Sequence, residues 1–261
     1  MPTFLVGTDL TERSLPAIVR GVELARASGG RLIVCHAAAQ VLPVNPLFPH
    51  EAGATIAAAT DIEQRVIEAV TAQVVDATDF TTFDVVADMG EPLEVIRAQA
   101  RKYGANLVIV SADRPGVGAV ARDLSTSPCT VLVLGSSTGT AAALVTLESE
   151  VQGVGRLADA VRAAVVQPVS KFLVIIWADP AERKAPLLDD LDRLSHDFGV
   201  PVEPWFADLS DPSALARVAR SPEIGLVAMA LPQPDRIVEN RASPLDDAFD
   251  GATASFLVVR E

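Results

Sequence analysis

Short runs of Val, Ile and Leu alternate along this chain with longer stretches of helical period. In the first half the runs fall at Phe4–Val6, Leu32–Cys35, Val85–Ala87, Leu107–Val110 and Val131–Leu134. Helix-like stretches lie between them at Leu15–Ala27, Ile62–Val75 and Leu93–Tyr103. Runs that are apolar at every position, separated by helices, predict parallel strands covered on both faces. The second half repeats the pattern, with runs at Leu144–Thr146, Phe172–Ala178, Val202–Phe206, Leu226–Ala230 and Ser255–Val259. Its helical stretches are Arg156–Val166, Ala185–Phe198 and Ser213–Arg220.

Two local details strengthen the repeat. Glu91-Pro92 opens a helix in the first half and Asp211-Pro212 opens its counterpart. An acid at the cap followed by Pro is sound chemistry, because the first helical N–H has no intrahelical acceptor anyway. A base precedes the second strand of each half, Arg31 before LIV and Lys171 before FLVII. The Gly/Ser/Thr stretch Gly135–Thr140 reads as the linker, giving a first domain of residues 1–138 and a second of 139–261. The second copy lacks a counterpart of the loop Pro43–Thr60, which carries Leu47 and Phe48 between prolines. That loop reads either as a variable connection packing its own apolar residues or as a lid or partner contact.

Composition narrows the class. Of 261 residues, 49% are hydrophobic and 21% charged, enough to build substantial cores and too apolar for wholesale disorder. The uninterrupted apolar run Phe172–Ala178 falls far short of the ~18 residues of a membrane helix. The opening MPTFLVGTD carries no basic n-region, so a cytoplasmic protein with no membrane association is expected. A net charge of −13 without any run of bases argues against nucleic acid as a partner. The two cysteines, Cys35 and Cys129, lie in or beside apolar runs and read as buried thiols in a reducing compartment.

In an open parallel sheet, ligands sit beyond the carboxyl ends of the strands. The segments to inspect are therefore Gly7-Thr8-Asp9, His36-Ala37-Ala38, Asp88-Met89-Gly90 and Ser111 to Gly118. Asp9 could accept hydrogen bonds from a ribose or an adenine amine; equally, it could cap the following helix or the turn before it. Gly116 to Ala121 matches G-x-G-x-x-A, but it follows the fourth strand and has no acid about 20 residues on, so a dinucleotide site is rejected. The two glycines read instead as a flexible turn whose amides face an anion. A phosphoryl-accepting receiver needs an acidic pair after strand one and a Lys after strand five; only Asp9 and Gly135 stand there. There is no G-x-S-x-G elbow, and His36, His50 and His196 form no triad or metal spacing. The sequence offers no catalytic constellation and no metal site.

Several segments carry a family likeness. The opening FLVGTDLTERSLPAIVRGVELARASGGRLIVCHA resembles the start of universal stress protein domains. GEPLEVIRAQARKYGANLVIVSA resembles their Gly-acid-Pro helix and following strand, and SPCTVLVL resembles their closing strand. The likeness covers residues 3–135, and the second half resembles a diverged copy. It implies an α/β fold of the adenine nucleotide alpha hydrolase-like kind: two tandem doubly wound parallel five-stranded sheets in order 3-2-1-4-5, with helices on both faces. It also implies that closing strands pair between domains, so that one tandem chain resembles a family homodimer. Many members bind ATP through a loop after strand four, patterned G-x-x-G, nine residues, then G-[ST]. The loop amides cradle phosphates, while the Asp after strand one and a residue at the end of strand two hold ribose and adenine.

This chain departs from that loop. Ser111 and Arg114 stand where the family prefers glycine, and the interval to Pro128-Cys129 is about ten residues too short for the whole pattern. Gly118-Ala119-Val120 matches the second half of the pattern with the hydroxyl missing, and Arg114 is the residue able to compensate. Each lost hydrogen bond to a charged phosphate costs ~1.5–3 kcal/mol, roughly ten- to a hundredfold in affinity. In the second half, Leu231-Pro232-Gln233-Pro234-Asp235-Arg236 has no glycine and two prolines, so no ATP cradle is expected. The resemblance therefore implies a non-enzymatic regulatory or interaction module of the stress response with a degenerate ATP loop. It would need no cofactor, and it would act through a protein partner or self-association, as a paired-domain monomer or a homodimer. The alternative is an adenine-nucleotide binder in the first domain only, using Thr8, Asp9, Ala37, Ser111, Arg114, Gly116, Gly118 and Ala119. An enzyme such as a weak ATPase is the third reading, without a general base to name.

Overall fold

The computed structural model describes residues 1–38, 52–112, 117–124, 127–145, 151–165, 168–177, 184–207, 213–231 and 252–260. The chain packs as two compact units, Met1–Val110 and Ser111–Glu261. This division follows packing, whereas the boundary at 138/139 follows sequence repetition.

The first unit holds β1 (Thr3–Thr8), a short 3-10 turn (Glu12–Ser14), α1 (Leu15–Ser28), β2 (Arg31–Ala38), α2 (Ala52–Thr78), β3 (Asp84–Met89), α3 (Pro92–Tyr103) and β4 (Leu107–Ser111), whose last residue falls in the second unit. Its sheet is parallel in order β3-β2-β1-β4. Successive residues of a strand face opposite ways. A Cβ on Gly21 of α1 would run into the Val6 side chain, while one on Gly7 would meet Ile96 of α3 at 2.8 Å. Helices α1 and α3 thus cover opposite faces. Leu5, Ile18, Leu32, Ile33 and Ile109 are fully buried between the layers, each contributing about 1.5–3 kcal/mol relative to exposure. The Gly104-Ala105-Asn106 turn closes α3: Gly104 is left-handed at φ +60°, and Ala105 N–H returns to Ala100 C=O. Asn106 then receives Thr3 N–H on its side chain and donates its own N–H to Thr3 C=O, fixing the start of β1.

The second unit holds α4 (Val117–Leu124), β5 (Thr130–Leu134), β6 (Ala141–Val145), α5 (Val151–Ala164), β7 (Lys171–Trp177), α6 (Lys184–Phe198), β8 (Val202–Ala207), α7 (Ser213–Ala219), β9 (Ile224–Leu231) and β10 (Ser255–Arg260). Its strand order is β5-β10-β9-β6-β7-β8. The stretch β8-β7-β6-β9-β10 is parallel and reads 3-2-1-4-5. Strand β5 joins antiparallel to β10, with Leu132 opposite Leu257. The two closing strands of the halves therefore pair within one chain. Phe172, Leu144, Leu157 and Phe256 are fully buried here.

Two expectations are corrected. The segment read as the Pro43–Thr60 loop is helical from Ala52 onward, so α2 begins ten residues before the apolar period at Ile62; residues 43–51 lie outside the described ones. The run Ala57-Ala58-Ala59 has high helix propensity without amphipathic period, so pattern alone misses it. The glycines read as a flexible turn also belong in part to a helix, since Gly118 lies in α4. Asp211-Pro212 lies outside the described residues. No helix among the described residues is long and apolar enough to cross a membrane.

Candidate functional site

Parallel pairing brings the carboxyl ends of β1, β2 and β3 to one edge of the first unit. Thr8 lies opposite His36, His36 opposite Ala87, and Ala37 opposite Asp88. Thr8, Asp9 and Ala37 are therefore together, as the sequence predicted from strand ends. Thr8 is buried, and its hydroxyl is committed internally: it receives Leu10 N–H at 3.0 Å and lies 2.8 Å from Gln73 Oε1 and 2.9 Å from Ser14 Oγ. It builds the turn rather than offering itself to a ligand.

Asp9 is exposed. Its Oδ1 accepts Thr11 N–H at 2.9 Å and Thr11 Oγ1–H at 2.7 Å, an Asx turn. It caps the turn before α1. Partial burial pulls its pKa up, but hydrogen bonds led by those from Thr11 outweigh this and hold it below the ordinary carboxylate value. An anchored, anionic, solvent-facing carboxylate is well made for receiving hydroxyl or amine protons.

His36 Nδ1 lies 2.9 Å from Thr8 C=O. A carbonyl only accepts, so Nδ1 carries the proton and donates it to Thr8. Asp88 receives Met89 N–H at 2.8 Å on Oδ1 and Gln99 Nε2–H at 2.7 Å on Oδ2. Gln99 is buried and its Oε1 has no hydrogen-bond partner. Below them, burial and then the charge of Asp88 push the Cys35 thiol up to about 12, so it is no nucleophile at neutral pH.

The remaining predicted residues belong to the second unit. Ser111 ends β4, and the next residue, Ala112, donates its N–H to Leu134 C=O at 3.2 Å. Gly118 and Ala119 lie in the first turn of α4, whose amides have no intrahelical acceptors. Arg114 and Gly116 lie outside the described residues, as does His50. Among the described residues no group of three or more His, Cys, Asp or Glu could hold a metal ion.

Sequence reasoning missed Gln73, Thr11 and Ser14, which shape the turn. Gln73 adjoins Val74 on α2, and Val70 and Val74 are fully buried. A polar residue beside such an apolar face is the one available signal.

The sequence model of the universal stress protein family matches residues 1–135, just over half of the chain. Solved structures agree over nearly the whole length. A universal stress protein from Archaeoglobus fulgidus superimposes with TM-score 0.68 at 12% identity, covering 99% of this chain and 98% of that one. A putative universal stress protein from Pseudomonas aeruginosa gives TM-score 0.58 at 15% identity, covering 100% and 93%. At such identities these likenesses speak for the fold. No curated protein matches the chain. With the family's pattern matched over its first 135 residues and the family's fold adopted, the chain belongs to the universal stress protein family.

Proposed function

We propose that this protein is a non-enzymatic regulatory module whose first unit receives the nucleoside end of an adenine nucleotide, while the loop after β4 gives the phosphates little hold. The observation that carries this reading is Asp9: an exposed carboxylate, locked in place by Thr11 and held ionised, beside the end of β2 at Ala37. The family resemblance assigns these two positions to ribose and adenine. The degenerate loop supports the second part, since Ser111, Arg114 and Ala119 replace residues of the phosphate pattern. The nucleotide is then a signal rather than a cofactor, and a protein partner reads its presence. Pairing of β5 with β10 inside one chain supports a monomer that needs no second copy for this contact. Two buried free thiols favour a reducing, cytoplasmic setting.

Calorimetric titration with adenosine tests the reading. The wild type should release heat on binding, and Asp9→Ala should weaken affinity by roughly ten- to a hundredfold, the worth of a charged hydrogen bond. Equal binding by both proteins, or none by the wild type, overturns it.

A further inference from the structure

Gln73 of α2 reaches across to the loop that carries Asp9, bridging 65 and 62 residues of sequence. Its Nε2 donates to Thr11 C=O at 2.9 Å and its Oε1 lies 2.8 Å from Thr8 Oγ1. The carbonyl of Thr11 can only accept, which fixes the amide's orientation and makes Thr8 the donor to Oε1. Thr8 then accepts Leu10 N–H, and Ser14 Oγ lies 2.9 Å from both Thr8 Oγ1 and Thr11 O. Between these anchors Leu10 sits at φ +62°, a left-handed conformation disfavoured for a residue with a Cβ. Local preference does not hold such a turn, so the surroundings must. Thr11, the residue Gln73 grips, is also the one that locks Asp9.

We propose that Gln73 is a positioning residue through which α2 sets the Thr8–Thr11 turn and hence the Asp9 carboxylate. The ligand that makes this matter rests on the nucleoside reading above; the geometry does not. A displacement of α2 would then disorganise the site, and a ligand held by Asp9 would bear on α2, giving the binding event a helix through which to be read.

The test uses the full chain with Gln73→Met, which keeps length and removes both bonds, and Gln73→Glu, which can still accept from Thr8 but cannot donate to Thr11. Amide hydrogen exchange at Leu10 and Thr11 is measured without ligand, against Leu5 and Ile33 in the sheet. Exchange at the two turn amides should quicken at least tenfold in both variants, with the sheet amides unchanged. Adenosine affinity should fall toward that of Asp9→Ala. Wild-type protection at Leu10 and Thr11 in either folded variant overturns the proposal, whatever the affinity does. A wild type that takes up no adenosine sinks the nucleoside reading alone, and the exchange rates still decide the role of Gln73. Should Gln73→Met fail to fold, Gln73→Glu carries the measurement.

Discussion

Asp9 earns its place by what surrounds it. Its lowered pKa means that the ionised form contributes stability above the ordinary carboxylate range, and this is lost as pH falls through the lowered value. The carboxylate therefore stays charged across mildly acid pH, where a ligand hydroxyl still finds an acceptor. Another residue-scale demand lies in the second unit, where Gly139 and Gly225 press backbone on backbone. A Cβ on Gly225 would strike the Gly139 carbonyl, and one on Gly139 would strike the backbone of Glu223. Backbone atoms cannot swing aside as side chains do, so Gly225→Ala should cost about 3 kcal/mol. By contrast, Gly155→Ala meets only Leu194 at 3.8 Å and should be neutral or stabilising, as Ala is the better helix former. Chemical denaturation of both variants checks the contrast; equal stabilities would refute it. Asp9 was legible in sequence because strand ends locate it, whereas Gln73 was not, because its partners are set by how α2 lies against the β1 turn.

At the scale of elements, apolar runs located the ten strands among the described residues: burial on both faces leaves an unbroken signal, and the half-buried β3 still shows as Val85-Val86-Ala87. The start of α2 escaped because its alanine-rich opening shows no polar face, and α4 because a helix of eight residues holding Gly118 reads as a turn. Strand starts carry a second regularity. Arg31, opposite Thr3, pairs with Asp84, which lies opposite Ile33. Lys171, opposite Ala141, pairs with Glu203, which lies opposite Leu173. The same register carries the same charge pair in both units, though exposed pairs of this kind add at most about 1 kcal/mol each. Lys171 also meets Glu223; the hydrogen bonds it donates to Glu223 and then to Glu203 raise its pKa, so these pairs are lost only as pH climbs through that raised value. Strand β10 has the larger role, buried between β9 and β5 with Phe256 and Leu257 fully enclosed. Truncation before Ser255 should bare two strand edges and an apolar face, and size-exclusion chromatography should show aggregates. A monodisperse truncated chain would contradict that role.

For the whole molecule, the acidic surface and the family fold point the same way. A net charge of −13 repels polyanions, so binding of a nucleotide must rely on short-range contacts rather than long-range attraction. In the function proposed above, Asp9 and the end of β2 in the first unit are the groups that would make such contacts with the sugar and base. The loop after β4 has Ser111 and Arg114 where the family's phosphate pattern prefers glycine, and Ala119 where it has a hydroxyl. How the phosphates fare is thus the quantity on which the account turns. Parallel titrations with adenosine and with ATP measure it most directly. The account predicts dissociation constants within about tenfold of each other, a difference of no more than about 1.4 kcal/mol for the entire triphosphate. ATP binding a hundredfold or more tighter than adenosine would show a working phosphate cradle and contradict it.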